Sequence, residues 1–318
     1  MFAKTSFETI KRLNTTAIIK AWYTSVNIQY GNEIAEGNID FFINKDYSAD
    51  LADVNKNDEI MKIQMTHVNG IDIAYRWDGN KNGPIVMMAH AMGTSNEIWN
   101  QQIEALSDRY HILRYDWRGH GKTSAPQGPY TLNQFVDDAV GTMNALELEK
   151  VHWVGISTGG MIGQGVAIKH PGRLNSLSLC NTTSQSNPWY RNWVAERQAV
   201  VKKSGMVPVW EMTKRLWFTD KFVEAENAVY HEIKDVFIAT PVEGYLGGTS
   251  AVADLNYLDS LDQITTNTRI IAAGDDPVTP IERSEEMHER IKNSKLFIID
   301  GQRHFSNIES PRAFNKLL

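Results

Sequence analysis

From Met65 to the end of the chain, short apolar or β-branched runs alternate with longer stretches whose apolar residues recur at helical spacing. The runs Ile85–Ala89, Ile112–Tyr115, Val151–Val154, Leu174–Leu179, Ile270–Ala273 and Leu296–Ile299 predict buried strands. Val68–Trp77 predicts a hairpin turning at Asn69-Gly70, because that dipeptide readily takes positive φ. Helical segments separate most of the runs. That order predicts an α/β fold with a mostly parallel sheet, right-handed crossovers and helices on both faces. In such sheets ligands bind beyond the carboxyl ends of the strands.

Residues 184–258 break the alternation and carry Trp189, Trp193, Trp210 and Trp217 together with Tyr190, Phe218, Phe222 and Tyr230. This segment predicts a helical lid. Most of its aromatic rings pack internally, and as a group they roof a small-molecule pocket. Residues 1–60 have a different character: they are rich in Asn, Asp, Lys and Thr, are interrupted by Gly31 and Gly37, and read as an N-terminal extension. Within them the spacing of Ile10, Leu13, Ile18 and Trp22 predicts a helix over Phe7–Tyr23. The chain therefore divides into an extension (1–60), the first part of a core (61–183), the lid (184–258) and the second part of the core (259–318).

Composition narrows the function. The 318 residues are 42% hydrophobic and 22% charged, ordinary globular usage. The net charge of −6 gives no reason to expect nucleic acid or an anionic membrane as a partner, and an anionic substrate would need a local cluster of Arg or Lys. Cys180 is the only cysteine, so no intrachain disulfide can form, and the zinc-site spacing of Cys and His is missing. With no glycine-rich phosphate fingerprint either, no cofactor and no metal are expected. Lys4, Glu8, Lys11, Arg12 and Lys20 interrupt the first twenty residues, which speaks against a secretory signal peptide. The expected location is the reducing cytoplasm.

The chemistry begins at Gly155-Ile156-Ser157-Thr158-Gly159, which follows a predicted strand and opens a glycine-spaced helix. A serine hydroxyl is a poor nucleophile, so it must stand on a sharp turn within reach of a base, and the flanking glycines are expected to allow that bend. Asp275 or Asp276, just beyond Ile270–Ala273, could orient an imidazole, and His304, just beyond Leu296–Ile299, occupies the position a base requires. His120, His170 and His288 fall on turns or helix surfaces and are read as solvated or structural. The donors for an oxyanion are expected to be the backbone N–H groups of Thr158, after the nucleophile, and Met92, in the loop after a buried strand.

These residues, with Tyr115-Asp116-Trp117-Arg118-Gly119-His120-Gly121, Gly128-Pro129-Tyr130-Thr131, Leu179-Cys180-Asn181-Thr182, Ala239-Thr240-Pro241, Glu243-Gly244-Tyr245 and His304-Phe305-Ser306-Asn307-Ile308-Glu309, make the chain resemble an α/β-hydrolase. Within that superfamily it is similar to the 3-oxoadipate enol-lactonases from about Gly70 onward. The order Ser157, Asp276, His304 is the superfamily's order. The resemblance implies Asp276 rather than Asp275 as the acid, since the family's acid stands immediately before the Pro277 position. Three departures stand out. Leu216 precedes Trp217 where members often carry Arg, with Arg215 displaced by one residue, a shift of about 100° on a helix. Thr158 stands where Met is usual, and residues 1–60 have no counterpart.

The function this implies is a cofactor-independent serine hydrolase that opens a lactone or carboxylic ester through an acyl-enzyme, with a 3-oxoadipate enol-lactone-like substrate. The alternatives are a broader carboxylesterase or other lactonase with a hydrophobic substrate, and a hydrolase-derived small-molecule receptor. Trp217, Arg215, Arg303 and Trp189 are the candidate substrate contacts, the two arginines for a substrate carboxylate. The expected partner is a small-molecule ester or lactone, without nucleic acid or membrane, and association with a second copy of the chain is left open.

Overall fold

The computed structural model describes residues 62–318; the extension and its expected helix lie outside them. The described residues form eight strands, β1 (Gln64–Val68), β2 (Ile71–Gly79), β3 (Ile85–Ala89), β4 (His111–Tyr115), β5 (Val151–Ile156), β6 (Leu174–Cys180), β7 (Thr268–Ala273) and β8 (Ser294–Ile299). They form one sheet in the order β1-β2-β4-β3-β5-β6-β7-β8. β1 and β2 form the expected hairpin, with Asn69 and Gly70 at positive φ. β2 also pairs antiparallel with β4, and every later pairing is parallel.

The strands outrun their apolar runs. β7 and β8 begin with the polar pairs Thr268↔Ser294 and Arg269↔Lys295, because backbone pairing continues beyond the stretch that side-chain burial marks out.

Helices fill the crossovers, α1 (Asn100–Leu106), α2 (Leu132–Ala145), α3 (Thr158–Lys169) and, between β7 and β8, α9 (Ile281–Arg290); α10 (Ser306–Glu309) and α11 (Pro311–Asn315) follow β8. Between β6 and β7 the chain inserts α4 (Pro188–Ser204), α5 (Met206–Trp217), α6 (Asp220–Ala225), α7 (Ala228–Ala239) and α8 (Val242–Ala253). Their starts are written locally: Asn187, Thr219 and Asn227 each accept a backbone N–H of the first turn of the helix that follows.

Alternate residues of the buried strands face opposite core layers. Met87, Leu113, Trp153 and Leu177 pack with Phe135, Ile162 and Val166 on one side of the sheet. Val86, Met88, Val154 and Ile271 pack on the other, in a cluster that continues into Trp210, Trp217 and Phe237 of the inserted helices. The inserted helices thus share one apolar core with the sheet. Two buried bidentate pairs, Arg114 with Asp78 (2.7 and 2.9 Å) and Arg118 with Asp138 (2.7 and 2.8 Å), lock β4 and the loop beyond it.

Candidate active site

β5 ends at Ile156 and α3 begins at Thr158, so the chain reverses through Ser157 alone, at φ 53° and ψ −116°. A non-glycine residue there costs about 1–3 kcal/mol and persists only when its surroundings impose it. They do so here. The Ser157 N–H donates to the Cys180 carbonyl (2.9 Å), and its carbonyl accepts from Gly160 N (2.9 Å), Met161 N (3.1 Å) and Thr182 Oγ1 (2.7 Å).

The flanking glycines serve a purpose other than the expected one. Neither Gly155 nor Gly159 is at positive φ. Instead, a Cβ on Gly155 would collide with the Gly159 carbonyl, and one on Gly159 with the carbonyl of Ala89. The motif is set by how closely α3 approaches β3 and β5, while the strain itself falls on the serine.

Asp276 and His304 leave the carboxyl ends of β7 and β8 and meet with His304 Nδ1 2.7 Å from Asp276 Oδ2. The carboxylate is held all round: Oδ1 accepts Val278 N (2.8 Å) and Thr279 N (3.0 Å), and Oδ2 also accepts Thr279 Oγ1 (2.7 Å). Asp275 is exposed. With Nδ1 donating to the carboxylate, Nε2 carries the lone pair that a base needs. Neither Ser157 Oγ nor His304 Nε2 is hydrogen-bonded among the described residues, and neither is a sealed polar atom.

Asn181 links the two sides of the site, a role the sequence reading did not assign to it. It follows Cys180, whose carbonyl holds Ser157, and its amide touches Asp276 Oδ2 (3.5 Å) and Ser306 Oγ (3.0 Å). An Asn closing a strand at positive φ (43°) is the only local signal it carries.

The loop after β3 is anchored by His90, also missed from sequence. Its Nδ1 donates to the Ala91 carbonyl (2.8 Å), its Nε2 accepts Trp117 N–H (3.3 Å), and its carbonyl accepts Trp117 Nε1–H (3.0 Å). Gly93 turns the loop at φ 68°, and its backbone lies so close to the Phe237 ring that a Cβ would come within 2.6 Å of it. The N–H groups of Met92 and Thr158 have no acceptor among the described residues, so both remain able to bind an oxyanion.

Burial lowers the pKa of His90 to about 3 and that of His120 well below the ordinary value. His120 is fully buried against Trp117, at 3.7 Å between ring centroids, which corrects the solvated reading in favour of the structural one. His170 is half-buried and His288 exposed. The unfolded chain binds protons at His90 and His120 near pH 6.5, whereas the folded chain refuses them. Stability should therefore be fully present above pH 6.5 and fall as pH drops towards 3. Urea midpoints measured from pH 8 to 4 check this, and a His90→Gln variant with an unchanged slope would remove His90 from the account.

The expected substrate contacts separate. Trp217 is buried at the end of α5, 4.4 Å from Phe305 and 5.2 Å from Phe237 between ring centroids, and 3.5 Å from the Cβ position of Gly93. Trp189 is 57% exposed on the first turn of α4 and does not join this cluster.

Arg215 and Arg303 require a correction. Arg215 is half-exposed and paired with Asp220 (2.7 Å) and Glu224 (3.8 Å). Arg303 donates to the carbonyls of Arg215 (2.6 Å) and Phe218 (3.0 Å) and also meets Asp220 (3.2 Å). Helix phase explains Arg215: Trp210, Thr213 and Trp217 define the buried stripe of α5, and a residue two positions from Trp217 lies about 200° away from it.

Among the cations of the inserted helices the buried one is Arg197, on α4. It is 3% exposed, donates to the Met212 carbonyl (3.0 Å) and lies 3.6 Å over the Trp193 ring. Its Nε has no partner, and no carboxylate pairs with it among the described residues. The Trp193–Arg197 spacing of four residues was the one sequence signal available. A cavity of about 420 Å³ lies between Thr94, Ile98 and Gln101 on one side and Ile233 and Val236 of α7 on the other; neither Ser157 nor His304 lines it. Among the described residues no helix is long and apolar enough to cross a membrane.

Residues 84–311 match the family described as the alpha/beta hydrolase fold. The chain is 31% identical over 245 residues to 3-oxoadipate enol-lactonase 2 of Acinetobacter baylyi, a match covering 77% of this chain and 91% of that relative. Among solved structures it resembles a hydrolase from Pseudomonas aeruginosa (TM-score 0.78, 31% identity, 81% of this chain and 97% of that one). It also resembles the enol-lactonase from Burkholderia xenovorans (TM-score 0.77, 31% identity, 80% and 97%).

Proposed function

Because the chain belongs to the α/β-hydrolase family, we propose that it opens a lactone or carboxylic ester through an acyl-enzyme, with Ser157 as nucleophile, His304 as base and Asp276 as orienting acid. The observation that carries this reading is the 2.7 Å bond from His304 Nδ1 to Asp276 Oδ2, with Nε2 left open at the end of the sheet where the strained Ser157 stands. His304 Nε2 takes the hydroxyl proton as Oγ attacks the carbonyl. The N–H groups of Met92 and Thr158 hold the resulting oxyanion, and Asp276 stabilises the imidazolium. As the intermediate collapses, the ring oxygen leaves and receives the proton from His304. Water, deprotonated by His304, then attacks the acyl carbonyl, and Ser157 Oγ leaves with the proton from His304, releasing the acid. In a lactone the leaving oxygen stays tethered to the acyl group, so a single product forms. For an enol-lactone that product tautomerises to a ketone.

The inserted helices act as the lid over this site, with Trp217 and Met92 in its apolar lining. The similarity to enol-lactonases supports a 3-oxoadipate enol-lactone-like substrate, whose carboxylate needs a cation. We assign that role to Arg197, which is buried in the inserted helices and pairs with no carboxylate among the described residues. A charge-assisted hydrogen bond is worth about 1.5–3 kcal/mol, so Arg197→Gln should raise KM for a carboxylate-bearing lactone about tenfold to a hundredfold. Neutral esters should be almost unaffected. The engagement of Arg215 and Arg303 favours a second reading, a broader esterase with a neutral apolar substrate. Ranking kcat/KM across enol-lactones, saturated lactones and aryl esters separates the two, and equal effects of Arg197→Gln on anionic and neutral substrates would select the second.

A further inference from the structure

The loop that carries His304 is held at both ends. On the core side Ser306 Oγ donates to Asn181 Oδ1 (3.0 Å) and Asn307 Nδ2 to the Ile98 carbonyl (3.1 Å). On the other side the bonds from Arg303, Phe305 and Glu309 go to the junction between α5 and α6. Phe305 N–H donates to the Trp217 carbonyl (3.0 Å), and Arg303 to those of Arg215 and Phe218. Glu309 accepts Thr219 N–H on Oε1 (2.8 Å) and Thr219 Oγ1–H on Oε2 (2.6 Å). Residues on both sides of the histidine thus bracket Trp217-Phe218-Thr219, the point where the backbone turns extended between two helices. Thr219 in turn accepts Phe222 N–H (3.3 Å) and starts α6.

We propose that Glu309 is a positioning residue: through Thr219 it fixes the α5–α6 junction against the His304 loop, so that the imidazole and the Trp217 roof over Gly93 are set as one unit. The proposal rests on the reading of His304 as the base. Both Glu309 oxygens are taken by one residue across the seam, and no ordinary helix contact would require that. Burial raises the Glu309 pKa, and the two Thr219 bonds and the charge of Arg303 draw it back down. The pairing of both oxygens with Thr219 holds the carboxylate in place. It also gives Arg303 a role beside Asp220, as the second stitch on the same seam.

The test compares Glu309→Ala, Glu309→Gln and Thr219→Val with wild type in kcat and KM on an aryl ester, and in the downfield proton NMR signal of His304 Nδ1–H. A base displaced by about 1 Å costs on the order of a hundredfold. Glu309→Ala should thus lower kcat about 30- to 100-fold with KM within about threefold, and broaden or shift the His304 signal. Glu309→Gln keeps one acceptor oxygen and should recover most of kcat and the signal. An unchanged signal in Glu309→Ala, with kcat near wild type or reduced only in step with the folded fraction, would overturn the proposal. If wild type turns over no ester or lactone, the enzymatic reading fails, and the NMR signal still decides whether Glu309 sets His304.

Discussion

Ser157→Ala should reduce kcat on any ester or lactone by about 10⁴- to 10⁶-fold, the loss expected when a serine nucleophile is removed from a catalytic unit. Stability should hardly move. The Ser157 hydroxyl makes no hydrogen bond among the described residues, and alanine at φ 53° carries the same backbone strain as serine. The four hydrogen bonds that hold the turn use only the Ser157 backbone and are untouched, so the change should stay within about 0.5 kcal/mol. Turnover together with the thermal midpoint checks both halves. Residual activity above a few per cent of wild type would mean that the attacking group is elsewhere.

The second large effect is at Asp276. Asp276→Asn should lower kcat by about 10⁴-fold, because an amide donor in place of the carboxylate oxygen favours the wrong imidazole tautomer. The surroundings make this worse: Val278 N, Thr279 N and Thr279 Oγ1 all donate to the carboxylate, so whichever way an Asn amide turns, its NH₂ faces a donor. Asp275→Asn should leave kcat within about twofold, as exposed surface substitutions do. Should the two variants exchange effects, the 2.7 Å bond does not describe the working enzyme.

Much of the fold could be read along the chain because the buried strands are continuous apolar runs and the hairpin turn is an Asn-Gly pair. Strand ends were less legible: Thr268, Arg269, Ser294 and Lys295 belong to the sheet through backbone pairing, which leaves no hydrophobic mark. The same division runs through the site. Ser157, His304 and the acid beside Pro277 stand at strand ends, where local sequence and chain order locate them. Asn181, His90 and Glu309 act through partners distant in sequence, from 27 residues away for His90 and Trp117 to 125 for Asn181 and Ser306, and the burial of Arg197 depends on how the inserted helices pack.

Arg215 and Arg303 show why proximity in sequence to an aromatic roof is a poor guide to charge placement. Their charges are close to His304 and Trp217 along the chain, yet both are drawn to Asp220, and Arg303 also to carbonyls at a helix end. Which face of α5 is buried decides this, and that face is set by how the inserted helices seat on Gly93 and Phe305.

By itself, the sequence determined the parallel α/β architecture, the turn that presents Ser157, and the order of the groups that follow it, because periodicity, turn chemistry and strand-end position are local properties. Only the tertiary structure decided why Gly155 and Gly159 must lack side chains, which cation is buried without a carboxylate, and what ties the His304 loop to the inserted helices. Each of those depends on the distance between segments far apart in the chain, and distances across a packed core are set by the simultaneous fit of all its layers.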